Sequence, residues 1–222
     1  MQKYGGISRY FYNLAKHLKD NNKIEIFAPF FRNYYIKNLP EDVVNGKYYK
    51  QFPPKTNRIL NYYSKFLTDK YIQKKDFDIV HYTYFFRKKI QNKSYKTVVT
   101  VYDMIHELFQ DQGLKNDPTP RLKKCAVTNS DHIICISNST KRDLLNFYDI
   151  DERKVSVIHL GFELENDNKS SKIKNNGLPF LLYVGERFEY KNFENMIIAF
   201  SSSKLLKENF NIISFGGPPF SA

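Results

Sequence analysis

Short apolar runs rich in β-branched residues alternate along the chain with longer segments whose apolar residues recur every three or four positions. The short runs do not alternate with polar residues, which is typical of strands that are covered on both faces of a parallel sheet. The predicted strands comprise residues 23–28, 78–82, 97–102, 132–136, 155–159, 180–184 and 211–215.

The longer segments between these strands have the spacing of amphipathic helices. The predicted helices comprise residues 7–19, 58–74, 118–127, 140–147 and 193–206. Strands that alternate with helices predict an α/β fold with a Rossmann-type parallel sheet. In such sheets ligands bind at the carboxyl ends of the strands, so the residues just after each strand are the first candidates for function.

One polar stretch interrupts this alternation. Residues 165–176 read ENDNKSSKIKNN, with no apolar periodicity, which predicts a linker. We therefore expect an N-terminal Rossmann-like domain at 1–164, a linker at 165–177 and the beginning of a second Rossmann-like domain at 178–222. The second unit has only a strand, a helix and a strand, which is too little for an independent core.

Composition narrows the classes of function. The chain has 222 residues, of which 41% are hydrophobic and 26% charged, as in globular proteins. Its net charge of +12 comes from scattered lysines, so we expect a solvated basic surface and no nucleic-acid partner. An anionic membrane face remains a candidate partner.

Cysteine content and hydropathy suggest a cellular location. The two cysteines, Cys125 and Cys135, have no metal-type spacing, and Cys135 lies in an apolar run that predicts a buried thiol. No signal peptide opens the sequence, and no apolar run approaches the length of a membrane span. We expect a cytoplasmic protein, with the inner membrane face as a site of peripheral contact.

Polar residues follow two of the predicted strands of the first domain. His81 lies at the end of one strand and is either a cleft residue or a buried structural histidine. Asp103, His106 and Glu107 follow the next strand, where they could perform acid/base chemistry or bind hydroxyl groups. Alternatively, Asp103 caps a turn and Glu107 is solvated.

Glycines and cations mark two further loops. Arg187 and Lys191 precede a predicted helix, an arrangement that favours a bound phosphate, although a plain surface loop is the alternative. Gly5 and Gly6 precede the first helix and would let the backbone approach a ligand. A third glycine at the dinucleotide spacing is missing, so the fingerprint of hydride-transfer enzymes is absent.

Five segments together resemble the family 4 retaining glycosyltransferases, which have the GT-B architecture of two Rossmann-like domains. They occur in the family's order over nearly the whole chain: YGGISRYFYNLAKHL, DIVHYTYF, TVVTVYDMIHELF, SDHIICISNSTKRDLL with KVSVIHLGFE, and LLYVGERFEYKNFENMIIAF. Each motif alone is modest in specificity, whereas their order and spacing together are specific.

The resemblance implies roles for individual residues. Gly5 and Gly6 match the glycine loop near the donor phosphates, and Arg187 and Lys191 match the cations that bind the donor diphosphate. Asp103 matches the aspartate of a His-Asp motif near the transferred sugar. In this chain Tyr102 replaces that motif's histidine, and His106 is three residues after Asp103.

A further match and several absences follow from the same resemblance. Ser137 matches a serine that lines the cleft, as His81 and Glu107 are expected to do. The family implies no metal and no cofactor beyond the nucleotide-sugar. The strand expected before Gly5 and the Glu-x7-Glu element expected after Ser214 are not in the sequence.

The resemblance predicts transfer of a sugar from a nucleotide-sugar to a glycan or lipid-linked acceptor, with retention of anomeric configuration. The setting would be cell-surface polysaccharide or lipopolysaccharide synthesis, with mannose weakly preferred as the sugar. We expect the 222-residue chain alone to be inactive. The alternative is a non-catalytic remnant or acceptor-binding fragment without a donor site.

Overall fold

The structure is a computed structural model that describes residues 3–85, 94–162, 177–187 and 189–217. It divides into two compact units, which are considered separately. Unit 1 comprises residues 1–104 and 119–160, and unit 2 comprises residues 105–118 and 161–222. The linker predicted at 165–177 lies outside the described residues except for Gly177, and the division at 164 and 178 stays a prediction.

Helices and strands alternate through both units. In chain order the elements are α1 (Gly6–Leu18), β1 (Ile26–Phe31), α2 (Tyr34–Lys37), β2 (Val44–Tyr48), α3 (Asn57–Lys74), β3 (Ile79–Tyr82), β4 (Lys96–Val101), α4 (Ile105–Leu108), a π-helical turn (Gln110–Leu114), α5 (Thr119–Asn129), β5 (His132–Cys135), α6 (Asn138–Phe147), β6 (Val155–Val157), β7 (Phe180–Val184), α7 (Phe193–Ser202), α8 (Lys204–Asn209) and β8 (Asn211–Phe215).

Every strand pair that the structure describes is parallel. In unit 1, β1 pairs with β2, and a four-stranded sheet has the order β3-β4-β5-β6. In unit 2, β7 pairs with β8. The predicted α/β fold with parallel sheets is therefore confirmed, and the loops that follow the strands of one sheet meet at the same end of it.

The main core of unit 1 lies on one face of the four-stranded sheet. It is formed by Val99, Val101, Met104, Ala126, Val127, Ile133, Cys135, Leu144, Tyr148 and Val155. Because side chains alternate along a strand, Thr100 of β4 points to the opposite face, where Phe11 of α1 contacts its neighbour His81. The sheet is thus covered on both faces, as its continuous apolar runs predict.

The amino end of this sheet is fixed by one side chain. Asp131, just before β5, accepts hydrogen bonds from the amide and the hydroxyl of Thr97, both at 2.7 Å. The amide of Asp131 donates to the Thr97 hydroxyl at 3.1 Å. These bonds hold β4 and β5 in one register at the end opposite the candidate site.

Unit 2 is much more open. None of the residues between 177 and 217 whose exposure is described is buried, and in β7 Leu182 and Val184 are 54% and 66% exposed. The apolar run of β7 therefore lies largely at the surface of this unit, whereas β8 is half-buried except for the exposed Phe215. In this respect unit 2 differs from the four-stranded sheet, whose runs are similar in sequence.

Several element boundaries differ from the sequence prediction for local reasons. β1 runs from Ile26 to Phe31, later than the predicted 23–28, and includes Pro29. Proline is tolerated there because the register with β2 shifts between Phe27 and Phe30. The helix predicted at 193–206 is two helices, since Ser203 leaves the helical conformation and caps α8.

Candidate functional site

The strands β3 to β6 direct several predicted residues to one end of the sheet. His81 is the second-to-last residue of β3, Tyr102 and Asp103 follow β4, and Ser137 follows β5. Because these strands are parallel and adjacent, their carboxyl ends are neighbours. The sequence rule that placed function after each strand therefore brings these four residues to one edge.

His81 is held in a largely apolar environment. Its Nε2 lies 2.9 Å from the hydroxyl oxygen of Thr100, and the Phe11 ring contacts the imidazole edge-on at 4.9 Å between centroids. Burial lowers the pKa of His81 to about 4, so the imidazole is neutral at neutral pH. These contacts are those of a structural histidine, and a role in lining the cleft stays a prediction.

Helix α1 begins at the same edge. Gly6 is its first residue, Gly5 precedes it, and the Gly5 carbonyl accepts from the Arg9 amide at 3.0 Å. One turn later the Tyr10 ring packs edge-on against Tyr102 at 5.8 Å. A side chain at Gly6 would meet no atom of the described residues within 4 Å, so the backbone here leaves room for a ligand. The role of Gly5 and Gly6 beside a ligand stays a prediction.

The hydroxyl of Tyr102 is an unusual polar group at this edge of the sheet. This hydroxyl is buried and has no hydrogen-bond partner among the described residues. Burial raises the pKa of Tyr102 well above the usual range for a phenol, so the hydroxyl remains a proton donor. Because an unpartnered buried hydroxyl is costly, this atom is suited to bind a polar group of a substrate.

The main chain at Asp103 is fixed by a buried lysine. Lys123 of α5 is only 1% exposed, and its Nζ donates to the Asp103 carbonyl oxygen at 2.8 Å. The same ammonium lies 5.6 Å from the centroid of the Phe85 ring. The sequence analysis did not single out Lys123. The one indication that it is buried is its position among the residues of α5 whose spacing predicts the buried face of the helix.

Ser137 acts as the N-terminal cap of α6. Its hydroxyl accepts from the Thr140 amide at 3.1 Å, and the Thr140 hydroxyl donates to the Tyr102 carbonyl oxygen at 3.3 Å. The start of α6 is therefore linked to the end of β4.

We call the residues Tyr10, Phe11, His81, Thr100 and Tyr102 the aromatic cluster. The hydrogen bond from Thr140 to the Tyr102 carbonyl oxygen holds one side of this cluster.

The segment after β4 belongs to unit 2. His106 lies in α4, where its Nε2 is 3.7 Å from an Asp117 carboxylate oxygen. Its Nδ1 is buried and has no hydrogen-bond partner in the part of the chain that the structure describes. Glu107 is 7% exposed. Phe109 contacts Tyr190 at 5.9 Å between ring centroids, which brings this segment beside the loop that carries Lys191.

The two predicted phosphate-binding cations lie at the carboxyl ends of β7 and β8. Arg187 donates from Nη1 to the Gly216 carbonyl oxygen at 2.7 Å, and its guanidinium lies 5.9 Å from the Phe193 ring centroid. The Lys191 ammonium lies 5.9 Å from the ring centroid of Tyr190. Lys191 is exposed, so its charge is accessible to a ligand.

Three glycines line the same place, and two of them follow β8. Gly185, Gly216 and Gly217 have φ values of +139°, +99° and +76°. A Cβ at Gly185 would lie 3.3 Å from the Lys191 ammonium, and one at Gly217 would lie 3.3 Å from the Arg187 guanidinium. We call Gly185, Arg187, Lys191, Gly216 and Gly217 the cationic cluster.

The cationic cluster has the chemistry of an anion site. Glycines leave room for a ligand close to the backbone, and a guanidinium with an ammonium complements the charge of a diphosphate. The Gly216-Gly217 pair was not singled out from the sequence, although a glycine pair directly after an apolar strand is the available signal. It adds a second glycine loop to the one that follows β7.

Two features are absent from the part of the chain that the structure describes: a metal-binding cluster and a membrane-spanning helix. No group of three or more His, Cys, Asp or Glu side chains that could hold a metal ion is present in that part. None of its helices is both long and apolar enough to cross a bilayer. The expectation that the reaction needs no metal stays a prediction.

A family match and the likeness to a solved structure with a TM-score of 0.54 indicate the type of fold. The family Glycosyltransferase Family 4 matches residues 4–166. The lipopolysaccharide outer core galactosyltransferase WaaB in its apo form has a similar structure, with 12% identity and a TM-score of 0.54. A glycosyltransferase from Rickettsia africae ESF-5 shares 18% identity, with a TM-score of 0.49.

The extent of these matches is also informative. Each of the two structural alignments covers 98% of this chain and 66% of the solved structure. This chain therefore spans slightly less than two thirds of the length of those two proteins. Comparison with curated protein sequences found no match.

Proposed function

The chain belongs to glycosyltransferase family 4 through its residues 4–166, and on that premise we propose that it transfers a sugar from a nucleotide-sugar to an acceptor hydroxyl. We propose further that the anomeric configuration is retained and that the acceptor is a glycan or a lipid-linked glycan of the cell surface. Mannose remains the weakly preferred sugar.

The observation that supports this proposal best is the cationic cluster. Two cations and three glycines meet at the carboxyl ends of two parallel strands, where nucleotides bind in α/β folds. The donor's diphosphate would lie against the backbone at Gly185 and Gly216. Arg187 and Lys191 would neutralise the negative charge that grows on the diphosphate as it leaves.

The chemistry requires one bond to break and one to form at the same carbon. The bond from the anomeric carbon to the diphosphate oxygen breaks, and the acceptor oxygen bonds to that carbon. The acceptor hydroxyl loses its proton, for which Asp103 and His106 are the candidate bases. His106 lies in the same segment as Phe109, whose contact with Tyr190 brings that segment beside the Lys191 loop.

The aromatic cluster would bind the uncharged groups of the substrates, which are the hydroxyl groups of the sugar and of the acceptor. We assign it to the sugar and acceptor side, where Gly5 and Gly6 leave the backbone open and the Tyr102 hydroxyl is available as a donor. His81, Glu107 and Ser137 would line or support this side. Because the pKa of Tyr102 is raised, the phenol would donate a hydrogen bond without taking part in proton transfer.

The test is a titration of UDP and GDP into the protein by calorimetry, followed by the same titration with Lys191→Ala and Arg187→Ala. A hydrogen bond to a charged group contributes about 1.5–3 kcal/mol, so each variant should bind about 10- to 150-fold more weakly. Lys204→Ala is the matched control, because Lys204 is an exposed cation of unit 2 whose near charge is Glu208.

Two results would contradict the assignment. If neither nucleotide binds the unaltered protein, the cationic cluster is not a donor site. If Lys191→Ala binds both nucleotides as tightly as the unaltered protein does, the diphosphate is held elsewhere.

A further inference from the structure

Helix α3 presents a stripe of large apolar side chains to solvent. Ile59, Tyr62, Tyr63 and Phe66 are 65%, 74%, 55% and 55% exposed, and we call these four residues the α3 stripe. Their spacing of three or four residues places them on one side of the helix. Single exposed apolar residues are ordinary, whereas a contiguous patch of this kind marks an interaction surface.

The opposite side of α3 already has its partners within unit 1. The Tyr71 ring stacks on Phe27 of β1 at 3.9 Å between centroids, with the ring planes 5° apart. The Tyr71 hydroxyl donates to the Glu25 carboxylate, which also accepts from Lys75 at 2.9 Å. The α3 stripe is therefore not needed to hold the helix on the sheet.

Cations surround the α3 stripe. Arg58, Lys65 and Lys70 are exposed, and Asp69 is the single acidic residue of α3. Arg58, Asn61, Tyr62, Lys65, Phe66 and Asp69 are neighbours on one open surface of the helix. The surface thus combines aromatic rings, an aliphatic side chain and positive charge along one exposed helical face.

We propose that the α3 stripe docks the protein onto the surface of an anionic phospholipid membrane. Tyrosine suits the boundary between headgroups and acyl chains because its ring is apolar and its hydroxyl polar. Ile59 and Phe66 would enter the acyl boundary, while Arg58, Lys65 and Lys70 would contact lipid phosphates. The helix would lie flat on the membrane and would not cross it.

The same charges argue against two other occupants. In a symmetric pair of chains the stripe would face its own copy, which would bring two surfaces of net positive charge together. A nucleic acid would be attracted by the charge, but Ile59 and Phe66 would gain little from a phosphate backbone. Both alternatives are outcomes of the experiment below.

This inference goes beyond the proposed function because it concerns docking and uses no sugar substrate. It can be tested without a nucleotide-sugar, so its failure would leave sugar transfer unaffected. Failure of the nucleotide titration would likewise leave membrane docking unaffected. If both hold, the chain would meet a lipid-linked acceptor at the surface on which it docks.

The chain contains no tryptophan, which allows one probe to report on one position. Tyr62→Trp places an indole in the α3 stripe, and Leu205→Trp places one at a 69% exposed position of α8 as the matched control. Both variants are mixed with vesicles of phosphatidylcholine alone or of phosphatidylcholine and phosphatidylglycerol in equal parts. We expect Tyr62→Trp alone to show a blue-shifted emission, and only with the anionic vesicles.

Binding strength is measured by co-sedimentation with the same anionic vesicles. A cation near an anionic surface contributes roughly a five-fold change in binding, so Arg58→Gln and Lys65→Gln together should weaken binding about 25-fold. Lys204→Gln should change it little. Ile59→Ser with Phe66→Ser should also reduce binding, and circular dichroism checks that this variant is folded.

Several results would overturn the proposal. One is a Tyr62→Trp emission that does not change with anionic vesicles. Another is equal binding by the Arg58→Gln/Lys65→Gln variant and the unaltered protein. A shift produced by a single-stranded oligonucleotide but not by vesicles would assign the surface to nucleic acid, and a concentration-dependent shift without vesicles would assign it to self-association.

Discussion

The aromatic cluster of unit 1 and the cationic cluster of unit 2 both lie where parallel strands end, yet their chemistry is opposite. In the aromatic cluster the polar groups are neutral and enclosed by rings, as the contact of Phe11 with His81 shows. In the cationic cluster Lys191 is exposed and glycines keep the backbone open. Similar apolar strands thus carry two different kinds of loop.

The two units also differ in the surroundings of a cation that donates to a main-chain carbonyl oxygen. Lys123 of unit 1 is buried and donates to the Asp103 carbonyl oxygen, so its charge supports the backbone. Arg187 of unit 2 also binds a carbonyl, that of Gly216, but at an open strand end beside an exposed lysine. We infer that the first edge is built to orient uncharged hydroxyl groups and the second to hold an anion.

The largest effect is expected from pH, and it concerns the aromatic cluster. The pKa of His81 is lowered from 6.5 to about 4 in the folded protein. Between these values the unfolded chain binds more protons than the folded chain does, so stability falls as pH falls. From pH 7 to pH 5 the loss attributable to His81 should be about 2 kcal/mol.

Urea unfolding of the unaltered protein and of His81→Gln at both pH values measures this loss. The glutamine variant removes the titrating group, so its stability should change less between pH 7 and pH 5. His17→Gln on the exposed side of α1 is the matched control. Equal pH dependence of the unaltered protein and His81→Gln would show that His81 is not held neutral by burial.

The second effect concerns the cationic cluster. In Gly216→Ala the new Cβ would lie 3.1 Å from the Gly185 carbonyl oxygen, at a φ of +99°. Strain of this kind costs about 1 to 2 kcal/mol, and it should shift the carbonyl that Arg187 binds. We expect weaker binding of UDP and GDP in calorimetry. Gly161→Ala is the control, since no atom lies within 4 Å of its Cβ position.

If Gly216→Ala binds both nucleotides as tightly as Gly161→Ala does, the glycine loop after β8 does not shape the anion site. The contrast between the two clusters would then rest on Arg187 and Lys191 alone. A loss of binding in Gly161→Ala as well would indicate a general effect of added side chains in unit 2.

The smallest expected effect is on the free energy of unfolding when a single tyrosine hydroxyl is removed. It distinguishes a hydroxyl that is available to a ligand from one that stabilises the fold. Tyr102→Phe removes a buried hydroxyl with no partner among the described residues, so the free energy of unfolding should change by less than about 0.5 kcal/mol. Tyr148→Phe removes a hydroxyl that donates to the Pro120 carbonyl at 3.0 Å and should cost about 1 kcal/mol.

Thermal or urea unfolding compares the two variants directly. If Tyr102→Phe loses as much stability as Tyr148→Phe, the Tyr102 hydroxyl has a structural partner and is not available to a substrate. Binding of UDP and GDP should be unchanged in Tyr102→Phe, because the hydroxyl belongs to the aromatic cluster and not to the anion site.

Much of the fold could be predicted because burial leaves a direct pattern in the sequence. The run at 97–102 is apolar and β-branched, and β4 is the most deeply buried strand of the sheet. β2, at Val44–Tyr48, was missed because VNGKY has neither a continuous nor an alternating apolar pattern. Its pairing with β1 depends on tertiary contacts that the local sequence does not encode.

Less of the candidate site could be predicted, for a related reason. The sequence places Arg187 and Lys191 after a strand, and the structure brings them to the glycines that follow β8. Lys123 was missed because lysine is rarely buried without a partner, and its partner at Asp103 is 20 residues away. The orientation of the Tyr102 hydroxyl depends on packing, which residue type alone does not determine.

The hydrogen bonds between Asp131 and Thr97 have a consequence for how this site could diverge between related proteins. They fix the register of β4 and β5 from the amino ends of the strands, far from the loops that carry the chemistry. Substitutions or insertions after Tyr102 or before Ser137 would therefore leave the strand register intact. Loops at that edge can therefore change in length and sequence while the pairing of the strands beneath them is kept.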